Sequence, residues 1–464
     1  MAQHKIVLIG AGSTVFTPGL LADLVASPVF DGAAVHLVDI NEDAAVTMAA
    51  LGRRIAKERG SRLTVEAHTD RREALAGASL VATTIAVGGA DGWRADLDVS
   101  LAHGIRQTVG DSVGPGGVLR ALRQVPELVA IGRDVAALAP EAWLANYANP
   151  LTANVRAIGG WAHARTFGLC HGTMHTRSML ADALGVPRQE VGAAFAGLNH
   201  LCWLLDLRHE GRDLYPQLRT LVAEATAAGV ARSVGGPLAE PVTADLMDVF
   251  GLYPAPGDRH VAEFFGWYLT PTEPLRRAPR FRGDPDMSGA PDGGELPWGL
   301  QPGLDATRRY IDEKSDLWDR LHAQAAGDVP LDTAPEGQEA ERLVSIAEAL
   351  LTGRDMMELA VNVPNRGAIP NLPANAVVEV PAVIGAAGVT PLAVGDLPAA
   401  LAAVLSARAA QQELTVQAAL SGSRTLALQA LALDPLVPGT TVARAVLDDA
   451  VVAHRPLLDA FAGG

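Results

Sequence analysis

The chain has 464 residues, of which 49% are hydrophobic and 19% charged, and its formal net charge is −15. This length and composition are sufficient for one large or two medium domains with a substantial core. The excess of acidic residues argues against a nucleic-acid partner, because such binding depends on basic patches that neutralise phosphates. We expect a cytoplasmic protein with no membrane partner, since neither a signal segment nor an apolar run of membrane-spanning length is visible.

The first predicted unit is a strand, a glycine turn and a helix. Lys5–Ile9 is a short β-branched apolar run, and an amphipathic helix opens at Thr17. Between them, one glycine suits a tight turn and the next allows a pyrophosphate to approach the backbone at a helix N-terminus. The third glycine of the usual motif is missing, because Val15 occupies its place. The residues of this turn that we predict to bind a dinucleotide are Gly10, Gly12, Ser13 and Thr14.

The second predicted strand, residues 35–38, strengthens this interpretation because it ends at Asp39. A carboxylate at that position can accept hydrogen bonds from the ribose hydroxyls of NAD and discriminates against the phosphorylated cofactor. The structural alternative is that Asp39 only caps the helix that begins near Glu42.

Strand and helix segments continue to alternate up to about residue 190. The further helices are predicted over residues 43–58 and 117–138, and the further strands over residues 64–67, 80–84, 142–146 and 166–169. This alternation predicts an α/β fold with a Rossmann-type, doubly wound parallel sheet. Residues 1–190 are therefore predicted to form an NAD-binding domain, with ligands beyond the carboxyl ends of the strands.

The pattern changes in the second half of the chain. Residues 191–207 are predicted as a strand interrupted by Asn199 and His200, and residues 270–303 are rich in proline and glycine. Helices are predicted over residues 337–359 and 395–420, with a loop over residues 362–373 between them. We therefore expect residues 191–464 to form a helix-rich α+β domain for substrate binding and oligomerisation.

Candidate metal ligands lie after two of the predicted strands. Cys170 and His200 are soft or borderline ligands that suit a divalent transition metal, although neither belongs to a short paired motif. Without further context, a lone buried cysteine such as Cys170 is more often an inert core residue. His171 and His175 could be ordinary loop histidines, and Cys202 is interpreted as core. Two cysteines are too few for a disulfide framework in a chain of this length.

Two loops carry other candidate residues. The glycine-rich loop Thr108–Gly117 could present Asp111 to a substrate or could be a turn and helix cap. Gly257–His260 places an acid, a cation and an imidazole together, which favours a site modestly. After the fourth strand, Arg94, Asp96 and Asp98 lie near the expected nicotinamide position, where each is most simply a solvated loop charge.

Taken together, these motifs resemble glycoside hydrolase family 4, the NAD-dependent glycosidases, over nearly the full chain. The segments that carry the resemblance, in the family's order, are Ile9–Ser13, Val109–Gly117, Asn146–Pro150, Cys170–Gly172, Gly197–His200, Gly257–His260 and Asn362–Asn365. The family is an exception to two-carboxylate glycoside hydrolysis. The resemblance implies a fold related to lactate and malate dehydrogenases, and a homodimer or homotetramer.

The resemblance also implies an elimination mechanism with NAD and a divalent metal, usually Mn²⁺. In this route NAD⁺ oxidises the sugar at C3, a base removes the acidified C2 proton, and the aglycone leaves by elimination. Water then adds, and the hydride returns to C3, so that no net redox change occurs. The metal would bind the C2 and C3 oxygens and stabilise the enolate-like charge.

By the same resemblance, Cys170 and His200 match the family's metal ligands, and Asn149 and His171 match positions that contact substrate. Asp111 matches the acid that assists departure of the aglycone, and Asp258 falls in the region that supplies the C2 base. Tyr253 and His260 are close enough in sequence to compete with Asp258 for that role.

The loops look most like those of members that act on α-galacturonides, where Arg259 could grip the sugar carboxylate and Arg94 is a further substrate-binding candidate. Members that act on 6-phosphoglycosides differ after the cysteine, whereas neutral α-glucosidases and α-galactosidases stay possible. The rival interpretations are a plain dehydrogenase of the lactate and malate type, which would need no metal, and a non-catalytic NAD sensor.

Overall fold

The computed structural model of the chain describes residues 4–228, 240–269, 300–332 and 342–462, together with Leu238, Leu296 and Trp298. Within this part of the chain, no helix has the length and apolar character needed to cross a membrane.

Six parallel strands form the N-terminal half of the sheet. They are β1 (Lys5–Ile9), β2 (Ala34–Val38), β3 (Thr64–His68), β4 (Leu80–Thr83), β5 (Trp143–Asn146) and β6 (Arg165–Gly168). Their order across the sheet is β3-β2-β1-β4-β5-β6, and all five pairings are parallel. This order has a single reversal point at β1, as in doubly wound nucleotide-binding folds. The prediction of a Rossmann-type sheet is confirmed.

The second half of the chain extends the same sheet with antiparallel strands. These are β7 (Gly192–Leu198), β8 (Leu201–His209), β9 (Arg212–Asp213), β10 (Tyr253–Ala255), β11 (Met356–Pro364), β12 (Val377–Gly385) and β13 (Gly388–Pro391). The order continues from β6 through β11, β12, β7 and β8 to β10. Pairing of Asn362 with Gly168 joins the two halves, so that one sheet of 13 strands runs through the described chain.

Helices cover the sheet and form the C-terminal layer. In the first half they are α1 (Thr17–Ala26), α2 (Glu42–Glu58), α3 (Arg71–Leu75), α4 (Gly89–Ala102), α5 (Gly114–Leu138), α6 (Leu151–Ala157) and α7 (Gly172–Leu184). In the second half they are α8 (Tyr215–Ala228), α9 (Pro241–Phe250), α10 (Asp258–Val261), α11 (Gly266–Leu269), α12 (Gly303–Ala326), α13 (Arg342–Thr352), α14 (Ala399–Ser421), α15 (Arg424–Ala432) and α16 (Thr440–Ala453).

Apolar strands explain why the parallel half is covered on both faces. Ile6 and Leu8 point into one buried cluster, and Val7 and Ile9 point into another on the opposite face. A strand that is apolar at every position can be satisfied only between two layers of helices. This arrangement leaves the carboxyl ends of the strands as the open edge for ligands.

Two predictions of secondary structure are wrong. The helix predicted over residues 337–359 is the shorter α13, after which the chain becomes β11, and the predicted loop over residues 362–373 begins inside that strand. The run Met356–Pro364 becomes a strand because it pairs with β12 across the sheet, and this contact is invisible to local periodicity. Residues 333–341 and most of the proline- and glycine-rich stretch 270–303 lie outside the described residues.

The segment after β4 is also not a loop. Arg94, Asp96 and Asp98 all lie on α4. Asp96 is fully buried and makes a two-point ion pair with Arg123, at 2.5 and 2.8 Å, instead of carrying a solvated charge. Nothing in the local sequence of α4 indicates that Asp96 is buried against Arg123.

Candidate functional site

The glycine turn after β1 is shaped by close approach to two neighbouring strands. Gly10 has φ of +89°, and its N–H donates to the carbonyl of Val38 at 2.9 Å. A Cβ atom at Gly10 would lie 2.8 Å from the backbone nitrogen of Ile85. Only glycine satisfies both conditions, and the turn therefore keeps its backbone open at the strand ends.

Asp39 is bonded directly to this turn. Its Oδ2 accepts the N–H of Gly12 at 2.7 Å, and its Oδ1 accepts the N–H of Asn41 at 2.9 Å. The cap of α2 is Asn41, whose side chain accepts the N–H of Ala44. Asp39 is therefore not the cap of that helix, and its carboxylate lies where the turn and the second strand meet.

Ser13 and Thr14 complete the turn before α1. The Ser13 hydroxyl accepts the N–H of Phe16, the residue before the helix, at 3.2 Å. The Thr14 hydroxyl is buried and has no hydrogen-bond partner among the described residues. A buried donor without a partner is costly, so a ligand with acceptor oxygens fits this position. The turn, its helix N-terminus and Asp39 together fit a dinucleotide.

A second group of polar side chains gathers at the same edge of the sheet. Asp111, His200 and His260 each place a ligand atom within 4.8 Å of the other two. The rings of His200 and His260 are 4.1 Å apart, and His200 also forms a hydrogen bond with Cys170. Carboxylate, imidazole and thiolate donors suit a divalent transition metal. The described residues fit a metal, and they include two candidate ligands beyond Cys170 and His200.

The register of the sheet explains why this group faces the glycine turn. Ile9, Thr83, Asn146 and Gly168 are aligned across β1, β4, β5 and β6. The residues that follow them therefore emerge side by side at one edge. For example, the ring of His171, which follows β6, stacks at a centroid distance of 6.0 Å on the ring of Phe16, which follows the glycine turn.

Mutual charge interactions set the protonation of this group. Burial alone would lower the pKa of His200, but Cys170, Asp111 and Glu379 raise it to about 9. Burial would raise the pKa of Asp111, but His200, His260 and Arg120 outweigh it and lower the pKa overall. The pair is thus strongly polarised, with a carboxylate beside a cationic imidazole when no ion is bound.

Asn149 and Arg120 connect Asp111 to β5 and α5. The Asn149 side-chain amide donates to Asp111 Oδ2 at 2.7 Å, and Arg120 Nε donates to the carbonyl of Asn149 at 3.0 Å. The structure therefore brings together Asn149 and Asp111, two of the candidate residues. It adds Arg120, which sequence analysis missed although it follows the glycine-rich loop.

The loop that presents Asp111 is held by a second residue that the sequence did not reveal. Glu263 is buried, and its Oε1 accepts the N–H groups of Thr108, Val109 and Gly110 at 2.9, 2.8 and 2.9 Å. Burial raises the pKa of Glu263 to about 7, although these N–H groups oppose the increase. A single carboxyl group therefore fixes the backbone immediately before Asp111.

Glu379, on β12, is the third missed residue. Its carboxylate accepts from the Thr173 hydroxyl at 3.1 Å and from the side-chain amides of Asn199 and Asn362 at 3.1 and 3.0 Å. It ties the turn that carries His200 to β11 and to the start of α7. Asn199 and Asn362 were visible as motif residues, but no local signal identified their shared partner.

The loop around residue 258 has two roles. His260 belongs to the polar group, whereas Asp258 binds the backbone at the start of α9. Arg259 precedes His260, and its Nη2 donates to the carbonyl of Thr108 at 3.0 Å. Asp258 is buried, and its carboxylate accepts the N–H groups of Val242 and Thr243 at the start of α9. Burial, and then Glu240, raise the pKa of Asp258 to about 7.

The remaining candidates are not among the described residues that form the polar group Asp111, His200 and His260. Arg94 is on the exposed side of α4, where it pairs with Asp98 at 3.4 Å. Tyr253 is buried on β10, with its hydroxyl lacking a hydrogen-bond partner among the described residues. Cys202 is a buried core residue of β8, as the sequence indicated.

Comparisons with known proteins agree with this geometry. Residues 5–186 match the model of the family 4 glycosyl hydrolases, and residues 195–437 match the model of the family 4 glycosyl hydrolase C-terminal domain. The chain is 31% identical to an α-galactosidase of Rhizobium meliloti, over 100% of this chain and 90% of the relative. It is also 31% identical to an α-galacturonidase of Thermoanaerobacterium saccharolyticum, over 93% of this chain and 91% of the relative.

Solved structures show the same fold. A 6-phospho-α-glucosidase from gut microorganisms, in complex with NAD and Mn²⁺, superposes with a TM-score of 0.78 at 22% identity, over 98% of this chain and 99% of the other. Malate dehydrogenase from Plasmodium falciparum superposes with a TM-score of 0.50 at 12% identity, over 90% and 99%. The chain belongs to glycoside hydrolase family 4 and is an NAD-dependent glycosidase by family.

Proposed function

We propose that this protein is an NAD- and divalent-metal-dependent α-glycosidase that acts on α-galacturonides. The observation that carries the proposal is the polar group Asp111, His200 and His260, in contact with Cys170, at the sheet edge that also holds the glycine turn. A plain dehydrogenase would need the glycine turn but not this set of metal donors.

In this proposal the glycine turn and Asp39 hold NAD, and Cys170 and His200 hold Mn²⁺ together with Asp111. When bound, NAD⁺ would supply a hydride acceptor for a sugar carbon, and the ion would supply Lewis-acid stabilisation of negative charge on the sugar oxygens. Asn149 is fixed by Asp111 and by Arg120, so its position beside the ion suits contact with a sugar hydroxyl. His171, stacked on Phe16 after the glycine turn, would be a further contact to the sugar.

In this proposal, His260 rather than Asp258 is the base that removes the C2 proton. The Asp258 carboxylate is engaged by two backbone N–H groups, whereas the His260 ring contacts His200 directly. Asp111 is placed with the ion ligands because its pKa is lowered by His200, against burial, and a carboxylate that stays ionised cannot donate a proton.

Support for a uronic substrate comes from two guanidinium groups next to the polar group. Arg120 interacts electrostatically with Asp111, and Arg259 adjoins His260 in sequence and is fixed by the Thr108 carbonyl. A guanidinium can pair with a sugar carboxylate through two hydrogen bonds. Relatives named α-galacturonidase share 31% identity with the chain, but so does one named α-galactosidase, and a neutral α-galactoside is therefore the second candidate.

The test is a panel of aryl glycosides: α-galacturonide, α-galactoside, α-glucoside and α-glucoside 6-phosphate, assayed with and without NAD⁺, Mn²⁺ and a chelator. We expect cleavage of the α-galacturonide to be fastest and to require both NAD⁺ and Mn²⁺. Solvent deuterium should enter C2 of the product, and this exchange should be lost in His260→Asn. Steady accumulation of NADH without cleavage would instead show a dehydrogenase.

The Arg259→Gln variant separates the two sugar classes. Loss of a charge-assisted pair should reduce kcat/KM for the α-galacturonide by about 10- to 100-fold and leave the α-galactoside nearly unaffected. Arg188→Gln is the matched control, because Arg188 pairs with Asp182 on an exposed surface. Equal losses for both sugars in Arg259→Gln would contradict the uronide assignment.

A further inference from the structure

A second cluster of metal-ligand side chains lies on β2 and β3, outside the site described above. His36, Glu66 and His68 each place a ligand atom within 4.8 Å of the others. His36 is directly opposite Glu66 in the strand register, and His68 is opposite Val38 on the same face. Three strands separate β2 from β6, which places the cluster roughly 19 Å from the Cys170 end of the sheet.

The distances within the cluster match the size of a metal ion. His36 Nδ1 and His68 Nε2 are 2.8 Å apart, and Glu66 Oε2 is 3.7 Å from the first and 3.8 Å from the second. A point equidistant from three atoms with these separations lies about 2.0 Å from each, which is the length of Zn²⁺–nitrogen and Zn²⁺–oxygen bonds. The two nitrogens are within hydrogen-bond distance of each other, and a tetrahedral ion would require them to separate by about 0.5 Å.

The two imidazoles lie in a partly shielded position. The side chains of His36 and His68 are 11% and 16% exposed, whereas that of Glu66 is 63% exposed and leaves an entry path. Glu66 and Glu73 are the carboxylates that face the cluster, and Glu73 Oε2 lies 4.0 Å from His68 Nδ1.

That last separation is longer than a hydrogen bond, but it places a carboxylate near the second ring nitrogen of His68. A histidine that binds metal through Nε2 commonly directs Nδ1 to a carboxylate, which fixes the ring orientation. Lys5 is the opposing charge, but its ammonium donates to the carbonyl of Ala76 at 3.0 Å. Two carboxylates against one ammonium leave the cluster suited to a cation.

We propose that His36, Glu66 and His68 form a second metal site that binds Zn²⁺, with water in the fourth position. Two imidazoles and one carboxylate are a typical Zn²⁺ ligand set, and they are poorer ligands for Ca²⁺ or Mg²⁺, which prefer oxygen. The site is independent of the catalytic ion and does not depend on the proposed reaction. The His68 carbonyl accepts the N–H of Asp39 at 3.1 Å, so the ion would also restrain the strand end beside the glycine turn.

The experiment is a Zn²⁺ titration of the metal-free full chain against a chromophoric chelator. The wild type should bind one equivalent more than His36→Gln or His68→Gln, and Glu66→Gln should bind that equivalent at least about tenfold more weakly. Co²⁺ distinguishes the two sites by absorption: the thiolate band from Cys170 should persist in all three variants, while the part of the ligand-field absorption contributed by the second site should be lost in the histidine variants.

His209→Gln is the matched control, because His209 is a strand histidine that pairs with one carboxylate, Glu190, at 2.9 Å. It should bind as many equivalents as the wild type. Unchanged stoichiometry and affinity in His36→Gln, or equal loss in His209→Gln, would overturn the proposal. If the histidine variants fail to fold, Glu66→Gln decides, since removing an exposed carboxylate leaves the fold intact.

Discussion

Glu263 is a buried carboxyl group whose partners are backbone N–H groups of the loop before Asp111. Its pKa of about 7 lies above the value of about 4.3 for glutamate in an unfolded chain. A group of this kind contributes stability that is complete below the unfolded pKa and is lost as pH rises through the folded one. The contribution of Glu263 to stability is thus greatest on the acidic side of neutrality.

The Glu263→Gln variant removes this titration while keeping the side-chain size. Between pH 5 and pH 8, the stability of the wild type should fall relative to the variant by roughly 3 kcal/mol. In this range, unfolding of the wild type releases the proton of Glu263, whereas the variant has no such proton. Urea unfolding at several pH values measures the difference. A difference that is constant with pH would show that Glu263 does not titrate in this range.

At the same scale, sequence analysis predicted residues whose chemistry is local and missed residues whose partners are distant. Gly10, Gly12 and Asp39 follow strands in a recognisable spacing, and the structure brings them into contact. Glu263 and Glu379 act on residues more than 150 positions away in the chain. No spacing rule connects residues across such separations.

The hairpin of β11 and β12 holds the turn that carries His200. It contributes Asn362 and Glu379, and Glu379 binds three polar side chains from three parts of the chain. The sequence placed a helix and a loop across β11, because its apolar residues fit both periodicities. Only pairing with β6 and β12 selects the strand.

Glu379→Ala should destabilise the protein by about 2–4 kcal/mol, because it leaves the polar groups of Thr173, Asn199 and Asn362 buried without an acceptor. Glu413→Gln is the control, since Glu413 pairs with Arg156 at a partly exposed position and such pairs contribute under about 1 kcal/mol. Denaturant unfolding of both variants gives the comparison. Equal, small losses would show that Glu379 does not hold the hairpin and the His200 turn together.

The whole molecule is organised by one sheet that crosses the proposed boundary near residue 190. β6 belongs to the first half and β11 to the second, and both lie in the interior of the sheet order. The division into an NAD-binding domain, residues 1–190, and a substrate-binding domain, residues 191–464, therefore stays a prediction. Because the two halves share this sheet, we expect them to unfold together.

Hydrogen exchange in the native state tests this. The most protected amides of β4 to β6 and of β11 and β12 should open with the same free energy, because separating the halves exposes strand edges on both sides. Lower opening energies confined to residues 356–385 would show instead that the second half is an independent unit.

The bond between Asp39 and Gly12 has a consequence for attempts to change cofactor preference. The usual way to admit a 2′-phosphate is to replace the ribose-binding acid with a neutral or basic residue. Here the candidate for that acid, Asp39, is also the acceptor for the backbone of the glycine turn, at 2.7 Å. Redesign for NADP⁺ would therefore have to provide a new acceptor for the N–H of Gly12. The substitution that removes charge repulsion would also release the main chain of the glycine turn, which is needed to bind either NAD⁺ or NADP⁺.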